Sequence, residues 1–322
     1  MSRLTKYYDL VRPGSPELAR RGLQCILRGP EDVSESCDSQ TRRRRESLEA
    51  YCLRHNVNTA RQVLAIAGGR VIAACLWIPH PGRSALFYIT NRNCRPESGD
   101  ATGACIAAAA GDARVAGVVL AQAVADIEDF FSISAFHAGG FVDLANLYYM
   151  QRTRPLFEPR SALPTGITLT PYSPANHELF ARTIVASYEN TLDCPLLTGL
   201  RSIDDVIAGY QAAAVFDPSL WLLAMENRRP LGALLMAWHS QRETLEVVYL
   251  GVSAEARRRG MGTALMKYVL YTMAKRNSRW CVLAVDKANT PALRLYRRAH
   301  YRVTGERRVL IGAVRGAAPR DA

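Results

Sequence analysis

The sequence predicts an α/β protein, in the α+β sense of a mixed sheet carrying helices, built as two tandem copies of one unit. Three observations predict it: a long-range repeat, a shared order of strands and helices, and a strand, basic turn and helix in succession near the C-terminus. Around Ala65 the chain reads A-I-A-G-G-R-V-I-A-A-C-L-W, and around Met225 it reads M-E-N-R-R-P-L-G-A-L-L-M-A-W. Each is a pair of apolar runs joined by a tight turn. Met225 follows Ala65 by 160 residues, Arg228 follows Gly68 by 160, and Trp238 follows Trp77 by 161. The 160-residue offset also pairs 84–91 with 244–251, Asp126 with Asp286 and Phe141 with Tyr301. A fixed period of this kind means two copies of one supersecondary arrangement.

In the second copy, apolar runs predict a strand at 167–172, then amphipathic spacing predicts helices over 176–187 and 203–214. Strands follow at 220–226, 231–238 and 245–252, then a helix over 260–275. A strand at 280–285, a helix over 291–299 and two short strands near 301–304 and 308–311 close the copy. The alternation fits a mixed sheet with helices packed on it. Between the copies, Pro155, Pro159 and Pro164 stand among charged residues, and proline blocks continuation of helix and sheet. The expected division is therefore 1–152, a linker over 153–164, and 165–322.

A length of 322 residues suits two domains. Hydrophobic residues at 48% and charged residues at 22% exclude wholesale disorder and a membrane bundle. The formal charge of +12 favours anionic partners such as phosphorylated cofactors, nucleic acid or acidic lipid. Eight cysteines form no C-x-x-C pair and no Cys/His cluster at ligand spacing, so reduced thiols and no metal are expected. No apolar core of signal-peptide length follows the start, and Asp112, Arg114 and Asp126 make a membrane span through 103–127 costly. A cytoplasmic protein is expected. The run Arg42 to Arg45 reads as a solvated helix face, with RNA binding as its other use.

The segment L-E-V-V-Y-L-G-V-S-A-E-A-R-R-R-G-M-G-T-A-L-M, 245–266, is an apolar strand, a basic turn and an amphipathic helix. Gly260 and Gly262 permit close backbone approach to a ligand. Their N–H groups open a helix where its dipole is positive, and Arg257, Arg258 and Arg259 add charge. These features suit a phosphate. A second segment, D-K-A-N-T-P-A-L-R-L-Y-R-R-A-H-Y, occupies 286–301. Together the two resemble the GNAT acyltransferase superfamily, closely over about the last 80 residues and by strand order across the second copy. In that family R-x-x-G-x-G, here Arg257 to Gly262, binds the pyrophosphate of acetyl-CoA.

The resemblance implies cofactor contacts from Leu250, Gly251 and Val252 on a bulged strand beside a splayed neighbour. It adds Arg257, Arg258, Arg259, Gly260, Met261, Gly262 and Thr263 in the turn, and Asn289 and Ala292 beside the pantetheine arm. Gly251 inside a strand indicates either close backbone approach or packing beneath a side chain. Acyl transfer needs a deprotonated nucleophile, an oxyanion donor and an acid for the leaving thiolate. A backbone N–H near Leu250 is the oxyanion candidate, Tyr296 the acid and Glu246 the base. Strict alternation puts Glu246 on the face of Val248 and Leu250, opposite Tyr249, and Tyr249, His239 or water remain alternatives as base.

At the same offset the first copy has Glu97, Ser98, Gly99, Asp100, Ala101 and Thr102 in place of the basic turn, with Asp129 for Asn289 and Phe136 for Tyr296. Carboxylates repel a pyrophosphate, so the first copy is expected to be degenerate, as in tandem members of the superfamily such as the mycothiol synthase type. The expected activity is N-acetyl transfer from acetyl-CoA to a small-molecule or peptide amine. The alternative is a non-catalytic coenzyme A-sensing or RNA-associated basic protein. Residues 176–217 carry no signature naming the acceptor.

Overall fold

The computed structural model describes residues 7–29, 48, 50–52, 56–90, 98–155 and 163–312. The arginine run 42–45, Glu97, Cys37, Cys94 and most of the proline-rich segment lie outside the described residues. Helices α1 (Pro16–Arg28), α2 (Ser98–Val115) and α3 (Phe130–Ala138) alternate with strands β1 (Asp9–Val11), β2 (Gln62–Ala67), β3 (Arg70–His80), β4 (Ser84–Ile89), β5 (Leu120–Asp126) and β6 (Phe141–Thr153). The second series comprises β7 (Ile167–Pro171), α4 (His177–Ser187), α5 (Ile203–Gln211), β8 (Trp221–Glu226), β9 (Arg229–His239) and β10 (Thr244–Val252). It ends with α6 (Met261–Lys275), β11 (Trp280–Asp286), α7 (Thr290–Arg298) and β12 (Arg302–Gly312).

The repeat is visible element by element. Gln62 and Trp221 open matching strands at an offset of 159, whereas Ser84 and Thr244, Leu120 and Trp280, and Phe130 and Thr290 stand 160 apart. The offset is thus not uniform. The extra residue lies in the turn before β10, which has Ser240 to Glu243 where the first copy has only Pro81 to Arg83. Both tight hairpins place two central residues at positive φ, Gly68 and Gly69 in one and Asn227 and Arg228 in the other, as inverse turns matching strand twist require.

The chain divides into two compact units, one of Met1–Leu144 with Arg308–Ala322 and one of Ala145–Arg307. The division therefore passes through β6 and β12, away from the expected linker at 153–164. The reason is pairing. Residues 147–153 of β6 run antiparallel to β11, from Leu147 opposite Asp286 to Thr153 opposite Trp280, so the proline segment ends a strand that already serves the second sheet. Gly305 does not interrupt β12, which is one strand where two short ones were expected.

In the first unit the strand order is β1-β2-β3-β4-β5-β12, antiparallel through β4 and parallel between β4 and β5. Small residues of α2, including Ala101, Cys105 and Ala109, are fully buried against Val63, Cys75 and Phe87. In the second unit the order is β6-β11-β10-β9-β8-β7, with β10 and β11 the parallel pair. Its sheet is covered on one face by α6 and α7, through Leu265, Val269 and Leu293. The other face is covered by α4 and α5, through Phe180, Ile184 and Ile207. No helix among the described residues is long and apolar enough to cross a membrane.

Candidate active site

Strands β10 and β11 pair from Thr244 with Trp280 through Val247 with Leu283. They then part, β10 following β9 to Val252 and β11 following β6 to Asp286. The cause lies at Val248, an extra residue between Val247, opposite Met236, and Tyr249, opposite Leu235. Such a bulge bends its strand and ends local pairing. The result is a wedge at the carboxyl ends of two parallel strands, where open α/β sheets take ligands.

The bulge also reverses which side chains face which way. Leu245, Val247, Leu250 and Val252 pack on the side of α6 and α7, while Val248 and Tyr249 both pack on the side of α4 and α5. Strict alternation therefore fails here. Tyr249 shares the face of Glu246 and Val248, and Leu250 lies on the opposite one. A Cβ on Gly251 would stand 2.5 Å from Ser187 Oγ and 2.7 Å from Tyr249 Cε1, and the Tyr249 hydroxyl is hydrogen-bonded to Ser187 Oγ. Glycine here makes room for that pair, so of the two readings of Gly251 its side-chain position follows packing.

The basic turn does not present three equivalent cations. Arg257 donates to backbone carbonyls of Ser187 at 2.9 Å, Val252 at 3.2 Å and Asn190 at 3.5 Å. Carbonyls beyond a helix C-terminus favour a cation, and this one ties α4 to β10. Arg259 pairs with Glu226 at 2.6 Å. Arg258 is exposed, adopts φ +61, and has no acidic partner among the described residues. Gly260 caps α6 at φ +80 with open space where a side chain would project. The N–H groups of Met261, Gly262 and Thr263 belong to the first turn of α6, where a helix has no intrahelical acceptors to offer. The Met261 side chain itself is buried in the core, and a Cβ on Gly262 would press on Leu295 at 3.3 Å.

Asn289 caps α7, its Oδ1 accepting from Ala292 N at 3.3 Å. It lies close enough to Asp193 to favour that residue's carboxylate form. Tyr296 is 7% exposed and its hydroxyl makes no hydrogen bond among the described residues. Burial, and then the charge of Asp193, push that hydroxyl well above the ordinary tyrosine range. Glu246 Oε2 lies 2.7 Å from His239 Nε2, both half-buried.

Asp193, Tyr188 and Tyr210 were absent from the expected site. Asp193 lies between α4 and α5 and reaches β11, its Oδ1 accepting from Asp286 N at 3.1 Å; Cys194 N returns the contact to Asp286 Oδ2 at 3.1 Å. The rings of Tyr210 and Tyr249 stack at 5.4 Å, and Tyr188 meets Tyr249 edge-on at 6.3 Å. A signal existed in T-L-D-C-P, 191–195, an acidic turn before proline between two amphipathic helices, but it names no chemistry.

In the first unit β4 has no bulge against β3. Thr90, at the place of Leu250, is fully buried and bonds both polar groups of Ala74 through its hydroxyl, at 2.6 and 3.2 Å. Helix α2 already begins at Ser98, so helix replaces the glycine turn that precedes α6. Phe136 is buried where Tyr296 stands, and Asp129 caps α3 as Asn289 caps α7, accepting from Ser132 N at 3.1 Å. The cap survives the exchange of amide for carboxylate.

Residues 187–301 match the profile of the Acetyltransferase (GNAT) family. A mycothiol acetyltransferase of Thermobispora bispora is 32% identical over 155 residues, 44% of this chain and 50% of that protein. The mycothiol acetyltransferase of Clavibacter sepedonicus is 28% identical over 174 residues, 49% of this chain and 54% of its own length. The chain spans about half the length of the curated relatives it matches. Among solved structures, a GCN5-related N-acetyltransferase from Sphaerobacter thermophilus superposes with a TM-score of 0.59 at 20% identity, covering 98% of both chains. A tandem GNAT protein from the clavulanic acid biosynthesis pathway gives 0.52 at 14% identity, over 97% of this chain and 100% of that one. The fold likeness runs the length of the chain and the sequence match falls on the copy that keeps the bulge and the glycine turn: residues 187–301 are a domain of the GNAT acetyltransferase family.

Proposed function

We propose that the chain is an acetyl-CoA-dependent N-acetyltransferase in which the second unit, expected over 165–322, carries the reaction and the first, expected over 1–152, holds a silent copy. The observation that carries this reading is the parting of β10 and β11 beyond Val247 and Leu283, next to the glycine-capped start of α6. Acetyl transfer is also what the name of the partial relatives states. The residues fit acetyl-CoA: the space beyond Gly260 is open, the N–H groups of Met261, Gly262 and Thr263 point along a positive dipole, and Arg258 is exposed. Bound there, acetyl-CoA supplies an acetyl group activated as a thioester.

The chain's own groups then divide the work. Gly260 to Thr263 and Arg258 hold the pyrophosphate, with Arg257 fixing the turn to α4 and Arg259 screened by Glu226. The unpaired edge of 248–252 aligns the pantetheine arm, assisted by Asn289 and Ala292 at the start of α7. A backbone N–H near Leu250 receives the charge that develops on the carbonyl oxygen, a contribution of about 3 kcal/mol where such donors are preorganised. Glu246, held by His239, takes the amine proton through water, and Tyr296 returns a proton to the departing sulfur. Tyr296 enters that role protonated, and the burial that holds its proton also makes it a weaker acid. In the first unit Thr90 secures the strand edge, helix fills the place of the turn, and Phe136 has no proton to give.

Thiol release from acetyl-CoA across small amines, peptide N-termini and protein lysines tests the reading. Gly260→Val, a branched residue at positive φ, should raise the KM for acetyl-CoA about tenfold or more. Release that survives this change, or acetyl-CoA bound in the first unit, defeats it.

A further inference from the structure

We propose that the outer faces of α6 and α7 bind the phosphate backbone of double-stranded nucleic acid through Lys267, Arg294, Arg297, Arg298 and Arg302. The surface uses none of the groups assigned to acetyl transfer and goes beyond that activity.

The net charge of the chain is concentrated in one segment. Residues 256–305 hold twelve Lys and Arg and a single acid, Asp286, a balance of +11 within a total of +12. Asp286 is buried, and its carboxylate accepts from Cys194 N and Ala288 N. Several of the cations are answered inside the fold. Arg257 is held by carbonyls, Arg259 by Glu226, Arg276 by Asp217 at 2.5 Å and Lys287 by Glu306 at 2.9 Å. Lys275 lies over the Tyr271 ring at 5.5 Å and Arg279 over Trp280 at 5.4 Å, while Arg258 belongs to the glycine turn. The other five are exposed, and none has an acidic partner among the described residues.

These five share one side of the second unit. Helices α6 and α7 cover the same sheet face through Leu265, Val269 and Leu293, and the first turn of α6 meets α7, where a Cβ on Gly262 would stand 3.3 Å from Leu295. Their exposed residues therefore form one outer layer. Arg294, Arg297 and Arg298 are spaced i, i+3, i+4 and are neighbours on the helix surface. Lys267 sits about 9 Å along α6 from its start, and Arg302 opens β12 just beyond α7. Neither helix contains an acid, so like charges at these spacings repel. The C-terminal dipole of α7 favours Arg297 and Arg298, but Arg294 stands a turn further in and Lys267 belongs to another helix.

A layer of cations without counter-charges suits a polyanion. A duplex carries one charge per about 1.7 Å of its axis, and four of the five side chains are arginines, whose planar fork matches phosphate oxygens. An acidic membrane is the competing polyanion, but a helix face that settles on a bilayer inserts apolar side chains, and none of the exposed large hydrophobic residues lies on α6 or α7. Single strands are held by bases stacked on accessible rings. Tyr268 and Tyr271 are half-buried, which favours the paired duplex.

The test is fluorescence anisotropy of a short labelled DNA duplex titrated with the full chain, at several salt concentrations, with coenzyme A saturating so that the glycine turn is filled. About five phosphate contacts should give a slope of about −4 to −5 for log association constant against log salt. Replacing Lys267→Gln, Arg297→Gln and Arg298→Gln together should lower the magnitude of that slope by about 3 and weaken binding about tenfold or more, with coenzyme A affinity and thermal melting unchanged. Arg20→Gln, Arg114→Gln and Arg182→Gln together remove the same charge from exposed positions elsewhere and should leave slope and affinity near those of the natural chain. Absence of duplex binding, equal losses from the two triple variants, or loss of coenzyme A affinity in the first of them overturns the proposal. So does tighter binding to the single strand, or to vesicles of phosphatidylserine and phosphatidylcholine, than to the duplex.

Discussion

Arg257 donates through Nη2 to the carbonyl oxygen of Ser187 at 2.9 Å, joining the arginine of the glycine turn to the last residue of α4. With the bonds to Val252 and Asn190, this side chain satisfies carbonyls of β10 and of the exit from α4. Hydrogen bonds to a charged donor contribute about 1.5–3 kcal/mol each, and partial exposure reduces the sum. Arg257→Ala is expected to lower unfolding free energy by about 2–3 kcal/mol. The coenzyme A dissociation constant should change less than on Arg258→Glu. Urea denaturation and coenzyme A titration of both variants check this, and the reverse ranking in affinity would assign Arg257 to the phosphate.

Gly251→Ala places a methyl group against Ser187 Oγ and the Tyr249 ring. Overpacking of this kind costs about 1–3 kcal/mol. The loss should shrink when Tyr249 is first replaced by Leu, so the two changes are non-additive in a double-mutant cycle. Additive losses would show that the methyl group meets something other than Tyr249.

The order of elements was legible because the second copy's periodicities are local: the strands, the helices and the glycine turn lie within a few residues of where apolar spacing and capping residues put them. The bulge was not. Val247, Val248 and Tyr249 are all good strand residues with no glycine or proline among them, so nothing marks which one is extra, and the faces of Tyr249 and Leu250 came out reversed. Strand pairing leaves as little trace. Residues 147–152 read as the end of the first copy and Thr153 as the start of a linker, yet their partner is β11 more than a hundred residues away. The basic turn was visible as charge, but two of the three carbonyls that hold Arg257 come from α4 and its exit. Asp193 belongs to a loop whose only local signal is a turn.

Tyr296→Phe removes a hydroxyl with no hydrogen-bond partner among the described residues from a position where the first unit already carries Phe136. The melting temperature should therefore hardly move. Loss of a general acid costs about 10²–10⁴ in rate, so kcat should fall in that range with the KM for acetyl-CoA unchanged. A leaving thiol of lower pKa needs less protonation, and an acyl thioester of such a thiol should recover part of the rate. A variant with full kcat would remove Tyr296 from the reaction.

Asp193 carries a prediction about stability. Burial raises its carboxyl above the ordinary 3.8, and the nearby Asp286 charge adds to that; the bonds from Asp286 N–H and Asn289 oppose the rise without cancelling it. The folded chain then holds this proton more tightly than the unfolded chain does. Linkage fixes the sign: the contribution is full below pH 3.8, is lost as pH rises through the raised value, and stays lost at neutral pH. Asp193→Asn has no proton to lose. At pH 7 it is expected to be more stable than the natural chain, and the difference should close as pH falls through the carboxylate range. Urea midpoints of both proteins at several pH values measure it, and a variant less stable at pH 7 would contradict the sign.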